Sequence, residues 1–328
     1  MAEVLLEVKN LKKYYVLKSG FFGRGKRTVK AVDGINLTVN EGEILGIVGE
    51  SGCGKSTLGR SILRLIEPTD GQVIFEGENI RELKKEEMRL KRKEMQIIFQ
   101  DPGASLNPRM TVGEIIGEPI DIFNTAQGES KEEMIYRLMD LVGLNRSYTQ
   151  RFPHEFSGGQ RQRIGIARAL AAKPKLVICD EPVSALDVSV RAQVLNLMRD
   201  LKERMNLTYL FISHDLSVVH HICDRVAVMY LGRIVEIANK EQLYKNPIHP
   251  YTKALLSAIP IPEPDLKRDR IIIQGDVPNP AAPPPGCHFH KRCPYAKPEC
   301  SEAMPEYVEV EKGHMVLCHL AAGEPEEK

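Results

Sequence analysis

The pattern of apolar and polar positions along this chain has two periods in different segments. One period is typical of strands and the other is typical of helices. Val4, Leu6 and Val8 alternate with Glu3, Glu7 and Lys9 on the other side, which predicts a half-buried strand. Residues 44–48, 176–179 and 207–212 are continuous apolar runs, which predict strands that are covered on both faces. These runs predict a sheet that is buried in the interior of the protein.

Segments with helical spacing lie between the predicted strands. Residues 114–144 and 190–205 carry apolar side chains at helical intervals, and a further helix is predicted to begin near Lys55. Residues 83–95 are dense in Lys, Arg and Glu, which we interpret as a solvated helix face rather than a nucleic-acid patch. Residues 18–30, glycine-rich and basic, predict a loop. Strands alternating with helices predict an α/β fold with a mostly parallel sheet.

The net charge argues against binding of nucleic acid by bulk charge, and the short apolar runs argue against a membrane-spanning or secreted protein. The 328 residues carry 45 Lys and Arg against 44 Asp and Glu, a formal net charge of +1, so binding of nucleic acid by bulk charge is not expected. No run of about 18 apolar residues is present, and an early Glu3 argues against a secretory signal. We therefore predict a cytoplasmic protein without a transmembrane segment or signal peptide.

Composition changes near Pro247, where a proline-rich segment begins that carries four of the seven cysteines. This change predicts two domains, residues 1–245 and residues 246–328. The reducing cytoplasm also means that the cysteines are not expected to form a disulfide framework.

A glycine-rich loop links the second predicted strand to the helix that begins near Lys55. It fits the pattern G-x-x-x-x-G-K-[ST], in which backbone N–H groups surround phosphates, the lysine pairs with the outer phosphates and the hydroxyl binds Mg²⁺. We give the thiol of Cys53 no role of its own. The predicted nucleotide-binding residues of this loop are Gly49, Glu50, Ser51, Gly52, Cys53, Gly54, Lys55, Ser56 and Thr57.

Two carboxylates and a histidine follow the next two strands. Asp180 and Glu181 end one strand, where ligands bind in open parallel sheets, and are predicted to hold Mg²⁺ through water and to polarise the attacking water, respectively. His214 follows the next strand and is predicted to reach the γ-phosphate. Glu181 and His214 are therefore the predicted catalytic residues.

A second glycine turn opens another predicted helix about a hundred residues after the first. Its predicted nucleotide-contacting residues are Ser157, Gly158, Gly159 and Gln160. One chain has no evident use for two such anion sites on one triphosphate. Two chains packed head to tail do, because each can close the other's nucleotide.

Taken together, these motifs resemble those of the ABC ATPases over about residues 4 to 245. Phe156 is a departure, since the family's signature more often begins with Leu. The family's motifs match at Gly49–Ser56 (Walker A), Ser157–Gln160 (signature), Asp180 with Glu181 (Walker B), Gln100 (Q-loop), residues 184–187 ending in Asp187 (D-loop) and His214 (switch histidine).

The resemblance implies a fold and further site residues. A RecA-like, mostly parallel sheet would carry an antiparallel β subdomain and a helical subdomain over about residues 101–165. Gln100 would contact Mg²⁺ and the nucleotide, and Asp187 would lie near the nucleotide. The adenine-stacking aromatic falls on Tyr15, with neighbouring Tyr14 as the alternative.

The end of the chain resembles a particular group within the ABC ATPases. Residues 249–256 and 286–294 are similar to the C-terminal extension of dipeptide and oligopeptide permease ATPases, and residues 105–113 are similar to the F-type member. This implies a D-type ATPase partner, two membrane permeases and an external binding protein, with this chain peripheral on the cytoplasmic face of the membrane. The alternative function is a non-transport ABC ATPase acting in DNA repair or on ribosomes.

The last four cysteines have the spacing C-x₅-C-x₆-C-x₁₇-C within a small, irregular extension. Zinc sites typically use tighter C-x₂₋₄-C pairs, so the wider gaps favour a [4Fe–4S] cluster, with Zn²⁺ and unrelated thiols as the alternatives. The permease resemblance favours the cluster as well. The predicted ligands are Cys287, Cys293, Cys300 and Cys318.

Overall fold

The computed structural model describes residues 3–19, 25–259 and 271–322. The strands, in chain order, are β1 Val4–Ser19, β2 Gly25–Asn40, β3 Ile44–Val48, β4 Asp70–Phe75, β5 Glu78–Asn79, β6 Met95–Ile98, β7 Leu176–Asp180, β8 Thr208–Ser213, β9 Arg225–Tyr230, β10 Arg233–Asn239, β11 Tyr307–Glu311 and β12 His314–Leu317.

Helices lie between most of the strands. The α-helices are α1 Lys55–Ile62, α2 Lys85–Lys91, α3 Pro102–Ser105, α4 Val112–Phe123, α5 Lys131–Leu141, α6 Gly158–Ala171, α7 Val188–Met205, α8 Leu216–Ile222, α9 Lys240–Lys245, α10 Pro250–Ser257 and α11 Glu299–Glu302. Short 3₁₀ turns lie at Arg146–Gln150, Pro153–Glu155, His290–Arg292 and His319–Ala322. No helix in these described ranges is long and apolar enough to cross a bilayer.

The chain forms two compact units. Among the described residues, the first comprises 3–6, 39–44 and 75–212, and the second comprises 7–19, 25–38, 45–74, 213–259 and 271–322. In the first unit β6, β7 and β8 are parallel neighbours, in register at Met95 with Leu176 and at Leu176 with Thr208. All residues of β7 and β8 are buried, which is why both strands are continuous apolar runs in the sequence.

The second unit contains mixed strand pairings. β3 pairs in parallel with β9, and β9 pairs antiparallel with β10. β2, β1 and β4 are neighbours in that order in a separate sheet.

The loop predicted over residues 18–30 was wrong at both ends, because β1 continues to Ser19 and β2 begins at Gly25. Pairing of these two long strands satisfies their backbone groups and outweighs a composition that favours a loop.

The C-terminal segment is more regular than the sequence predicted. β11 and β12 form an antiparallel hairpin, and β12 pairs with β10. Glu236 of β10 is fully buried, and its carboxylate accepts hydrogen bonds from the N–H groups of Ile248 (2.8 Å) and His249 (3.0 Å) and lies 2.8 Å from Nε2 of His314. A buried carboxylate needs such partners. His314 attaches the hairpin to β10, and Ile248 and His249 attach the segment that precedes α10.

Candidate functional site

The glycine-rich loop leaves β3 through backbone conformations that only glycine adopts readily. The φ angles of Gly49, Gly52 and Gly54 are 152°, 78° and 108°. A Cβ on Gly49 would lie 2.1 Å from the carbonyl oxygen of Met229, and one on Gly54 would lie 2.0 Å from that of Ala31. Neighbouring backbone therefore fixes the path of the loop and excludes side chains at both positions.

Lys55 is the first residue of α1 and points into this loop. Its side chain is buried, with 5% exposure, and Nζ donates hydrogen bonds to the carbonyl oxygens of Gly49 (2.7 Å) and Glu50 (3.0 Å). A buried ammonium requires acceptors, and these carbonyls supply them within the loop. This arrangement fits a phosphate-binding loop, because the lysine is the point charge that such loops direct at phosphate oxygens.

The remaining loop residues occupy three environments. Ser51 and Gly52 are exposed at the tip, while Ser56 and Thr57 are half-buried in the first turn of α1. The thiol of Cys53 is buried, its Sγ lies 3.9 Å from Nζ of Lys55, and burial raises its pKa. Cys53 is therefore a neutral thiol that packs beneath the loop.

Glu50 is contacted by two residues that sequence reasoning missed. Nη1 and Nη2 of Arg292 donate to the two carboxylate oxygens of Glu50, at 2.8 and 3.0 Å. The backbone N–H of Glu50 donates to the hydroxyl of Tyr251 at 2.9 Å. Neither residue belongs to a nucleotide-binding motif, and 242 positions separate Arg292 from Glu50, so no local pattern pointed to the contact.

The structure brings two of the predicted site residues of the first unit into contact. Nε2 of Gln100, which follows β6, donates to Oε2 of Glu181 at 3.0 Å. Asp180 is the last residue of β7 and is 1% exposed. Because β6 and β7 are parallel neighbours, their carboxyl ends meet at one edge of the sheet. The amide and the carboxylate at this edge can orient a polar ligand.

The backbone of Glu181 is strained in a way that the sequence did not predict. Its φ is 49°, a left-handed conformation that is uncommon outside glycine. Its N–H donates to the carbonyl oxygen of Ile212 at 3.0 Å, and Ser184 donates to its carbonyl oxygen through Oγ at 3.0 Å. These bonds hold the turn, and such strain is concentrated at functional positions.

The second glycine turn is a capped helix start. Ser157 precedes α6; its Oγ accepts a hydrogen bond from the Gln160 N–H at 3.3 Å, and Oε1 of Gln160 accepts one from the Ser157 N–H at 3.0 Å. A Cβ on Gly159 would lie 2.3 Å from Cγ1 of Val190, whereas one on Gly158 would meet Leu186 at an ordinary 3.6 Å. The turn presents a helix N-terminus with glycine as its first two residues.

Asp187 and His214 both lie at the surface. Asp187 precedes α7 and is exposed, and its carbonyl oxygen accepts from the Arg191 N–H at 2.8 Å. His214 immediately follows β8, is exposed and belongs to the second unit. Their predicted contacts with nucleotide stay predictions.

The two candidate aromatics differ in their partners. The hydroxyl of Tyr14 donates to the buried carboxylate of Asp33, which also pairs with Arg233, and burial raises the pKa of Tyr14. Tyr15 is half-buried, and Nζ of Lys13 lies 5.0 Å from its ring centroid. Tyr14 therefore has a structural task, while the stacking role of Tyr15 stays a prediction.

Comparison with known proteins identifies the family of this chain. The ABC transporter family matches residues 32–184, and the C-terminal region of the oligopeptide/dipeptide transporter family matches residues 235–300. The oligopeptide transport ATP-binding protein AppF of Bacillus subtilis (strain 168) is 56% identical over 97% of this chain and 98% of its own length. The chain belongs to the ABC transporter family. A putative peptide import ATP-binding protein of Brucella ovis, BOV_A0347, is 53% identical over 96% of this chain and 97% of its own length.

Solved structures of ABC cassettes confirm the fold. The ATP-binding cassette MJ0796, in a dimeric post-hydrolysis state with ADP and Pi, matches with a TM-score of 0.64 and 28% identity over 72% of this chain and 99% of its own. CbiO1 from Clostridium perfringens, part of the ABC transporter complex cbiONQ, matches with a TM-score of 0.61 and 25% identity over 74% of this chain and 92% of its own. The predicted ABC-ATPase fold is confirmed, and as an ABC transporter cassette this chain hydrolyses ATP.

The predicted [4Fe–4S] cluster at Cys287, Cys293, Cys300 and Cys318 was wrong, and the alternative Zn²⁺ site has no support. Within residues 3–19, 25–259 and 271–322, no group of three or more His, Cys, Asp or Glu side chains is arranged to hold a metal ion. The similar proteins from Bacillus and Brucella are named as ATP-binding proteins of peptide transport or import, and these names mention no iron–sulfur cluster. Burial raises the pKa of Cys287 to about 11. A high density of cysteines did not make them a ligand set.

Proposed function

We propose that this chain is the ATP-hydrolysing subunit of an ABC importer for dipeptides or oligopeptides, attached to the cytoplasmic face of the membrane. The observation that carries the proposal is the buried Lys55 in a loop of left-handed glycines, in a chain whose residues 235–300 match the C-terminal region of oligopeptide/dipeptide transporters. The names of the similar proteins from Bacillus and Brucella, which refer to peptide transport or import, support the same cargo class.

The phosphate loop binds the outer phosphates of ATP. Backbone N–H groups between Gly49 and Ser56 surround the phosphate oxygens, and Nζ of Lys55 exchanges its carbonyl acceptors for them. Mg²⁺ would be held by the hydroxyl of Ser56 in the second unit and, in the first unit, by the amide of Gln100 and, through water, by the carboxylate of Asp180. When bound, this ion neutralises charge on the transferring phosphoryl group.

Glu181 and His214 carry out the chemical step. Glu181 accepts a hydrogen bond from the attacking water and orients it, and the Gln100 contact keeps its carboxylate in place. His214 contacts the γ-phosphate. Phosphoryl transfer needs positioning and charge stabilisation more than covalent chemistry, and these residues supply both.

A second ATPase completes each site. The Ser157–Gln160 turn caps the nucleotide of the opposing subunit, and Asp187 lies beside it. Similarity of residues 105–113 to F-type subunits makes a D-type paralogue the partner, together with two permeases and an external binding protein. Closure then moves the helical subdomain over about residues 101–165, which pushes on the permeases. Residues 246–328 form the extension that follows the cassette of residues 1–245.

The test is reconstitution with the permeases, the partner ATPase and the binding protein in vesicles. Peptide uptake that requires ATP, and that Lys55→Ala abolishes, supports the proposal. The purified chain alone is expected to hydrolyse ATP weakly. Fast hydrolysis by the chain alone at any concentration would contradict the need for a partner. Failure to associate with any permease would favour the non-transport alternative in DNA repair or on ribosomes.

A further inference from the structure

Glu50, the second residue of the phosphate loop, forms hydrogen bonds both within the loop and with the C-terminal segment. Inside the loop, its carbonyl oxygen accepts hydrogen bonds from Nζ of Lys55 at 3.0 Å and from the N–H of Cys53 at 3.3 Å. From the C-terminal side, Tyr251 accepts from its N–H and Arg292 pairs with its carboxylate through two hydrogen bonds. The peptide unit that begins the loop is thus fixed by residues outside the loop.

Arg292 is itself immobilised. It ends the 3₁₀ turn His290–Arg292, and its side chain is only 8% exposed. Nη1 lies 3.4 Å from the hydroxyl of Tyr230, and the guanidinium lies 5.9 Å from the centroid of that ring. The hydrogen bonds to Glu50 raise the pKa of Arg292, so its charge is permanent. A paired guanidinium in fork geometry fixes both the position and the orientation of a carboxylate.

An aromatic cluster of Tyr230, Tyr251, Phe289 and His249 anchors this turn. The Phe289 ring is 1% exposed and lies 5.2 Å from the centroid of Tyr230, 5.4 Å from Tyr251 and 5.6 Å from His249. Phe289 lies three residues before Arg292, and Tyr251 is the residue that binds the Glu50 N–H. One buried cluster therefore positions both groups that hold Glu50.

We propose that Arg292 and Tyr251 are positioning residues, through which the C-terminal segment holds the phosphate loop in its ATP-binding conformation. This inference rests on the proposed role of the loop in binding ATP. A loop that must be ordered on binding loses affinity, and ordering one backbone residue corresponds to about 5- to 30-fold in the dissociation constant. The C-terminal segment thereby acts on nucleotide affinity without touching nucleotide.

The central experiment measures binding of a fluorescent ATP analogue with Mg²⁺ to the purified full chain. Arg292→Ala is expected to raise Kd by about 5- to 30-fold, because the loop is no longer ordered in advance. Lys291→Ala removes an adjacent, exposed cation and is expected to change Kd by less than about 2-fold. An unchanged Kd in Arg292→Ala would overturn the proposal.

Folding is not expected to limit this experiment. Glu50 retains 27% side-chain exposure and lines a cleft of 460 Å³ with Arg292, so water can solvate its carboxylate when the arginine is removed. Tyr251→Phe is the second variant, since it deletes only the hydroxyl that accepts from the Glu50 N–H. If Arg292→Ala is not folded, Tyr251→Phe decides: a raised Kd at an unchanged Tm supports positioning, and a wild-type Kd rejects it.

A double-mutant cycle separates positioning from general stability. If Arg292 acts through Glu50, Glu50→Gln with Arg292→Ala should bind no more weakly than Arg292→Ala alone. Arg292→Lys should restore part of the affinity. Additive losses in the double variant would contradict action through this pair. A change in Tm without a change in Kd would reduce the contact to a structural one.

Lys55→Ala distinguishes this inference from the proposed function. Lost binding in Lys55→Ala with wild-type binding in Arg292→Ala would reject only the positioning role. Wild-type binding in Lys55→Ala would reject the phosphate loop as the ATP site, and with it the proposed function.

Discussion

Two glycine turns open helices in this chain, and they differ in how complete each is as an anion site. Both the phosphate loop, residues 49–56 at the start of α1, and the signature turn, residues 157–160 at the start of α6, place backbone N–H groups at a helix N-terminus. In the phosphate loop three left-handed glycines curl the backbone around the buried Lys55. In the signature turn both glycines are helical, and Ser157 closes a capping box.

The glycines are required for different reasons. Gly54 is constrained by the Ala31 carbonyl oxygen 2.0 Å from where a Cβ would lie, whereas Gly159 is constrained by the side chain of Val190 at 2.3 Å. The first contact shapes the backbone of a cradle, and the second allows two helices to approach. The phosphate loop thus carries its own cation for an anion, Lys55, while the signature turn offers only a helix end. This difference is what the proposed site, shared between two subunits, would require.

The largest expected effect is on ATP hydrolysis, in a variant that stops the reaction while both glycine turns contact nucleotide. Glu181→Gln should lower ATP hydrolysis by about 10²- to 10⁴-fold, because the attacking water loses its general base. Nucleotide binding at the phosphate loop should be unchanged, and ATP should trap a stable dimer when the partner ATPase is present. Steady-state hydrolysis and size-exclusion chromatography measure the two effects.

Glu203→Gln, on the exposed surface of α7, is the matched control and should hydrolyse ATP as the wild type does. Near-normal turnover in Glu181→Gln would remove this residue from catalysis. A dimer trapped without any partner ATPase would show that two copies of this chain suffice.

Paired glycine substitutions test the comparison directly. Gly54→Ala should cost about 1–3 kcal/mol of stability from the backbone conformation alone and should abolish nucleotide binding. Gly158→Ala should leave stability and single-chain binding near wild type, since its Cβ would meet Leu186 at 3.6 Å. Thermal unfolding and nucleotide titration of both variants are the measurements. Equal loss of single-chain binding in the two would contradict the division into cradle and half-site.

The phosphate loop could be predicted because its chemistry is encoded locally. A strand, the glycine pattern and a helix follow one another, and Gly49, Gly54 and Lys55 have the positions that the pattern requires. The left-handed turn at Glu181 could not be predicted, since it depends on Ile212 of the neighbouring strand. The contact of Glu50 with Arg292 depends on folding of the whole C-terminal segment.

Two predictions were wrong, one made from composition and one made from cysteine spacing together with the permease resemblance. Glycine and basic residues over 18–30 predicted a loop, but strand pairing extends β1 and β2 into this segment. Four cysteines in a short segment predicted a cluster, but no group of three or more His, Cys, Asp or Glu among the described residues is arranged to hold a metal ion. In both cases the deciding interactions are tertiary, and composition does not report them.

A smaller effect, on ATP affinity, is expected at Tyr15, the aromatic residue that is predicted to stack on the base. Tyr15→Ala should weaken ATP binding by about 1–3 kcal/mol, the range for one aromatic ring stacked on a base. Tyr14→Phe is the control: it removes the hydroxyl that binds Asp33 and should affect stability rather than affinity. GTP should be tolerated, because stacking does not read base edges. Unchanged affinity in Tyr15→Ala with a lower Tm would mean that the ring only packs against the protein.

The smallest expected effect is on the signature turn itself. Ser157→Ala removes a helix N-cap, which typically costs about 1 kcal/mol. The bond from Gln160 N–H to Ser157 Oγ is 3.3 Å long and exposed, so the loss should lie at or below this value. Ser157→Thr keeps a hydroxyl and should preserve the cap.

Ser157→Ala and Ser157→Thr should differ in their response to ATP only when the partner ATPase is present. Alone, Ser157→Ala and Ser157→Thr should bind ATP as the wild type does, because the phosphate loop of the same chain is complete. With the partner ATPase, Ser157→Ala should weaken ATP-dependent dimerisation, since the hydroxyl that would contact the opposing nucleotide is missing. Titration of the single chain and sedimentation of the mixture measure the two steps. Weaker ATP binding by Ser157→Ala alone in dilute solution would mean that the serine acts on its own nucleotide, and the half-site interpretation of the signature turn would fail.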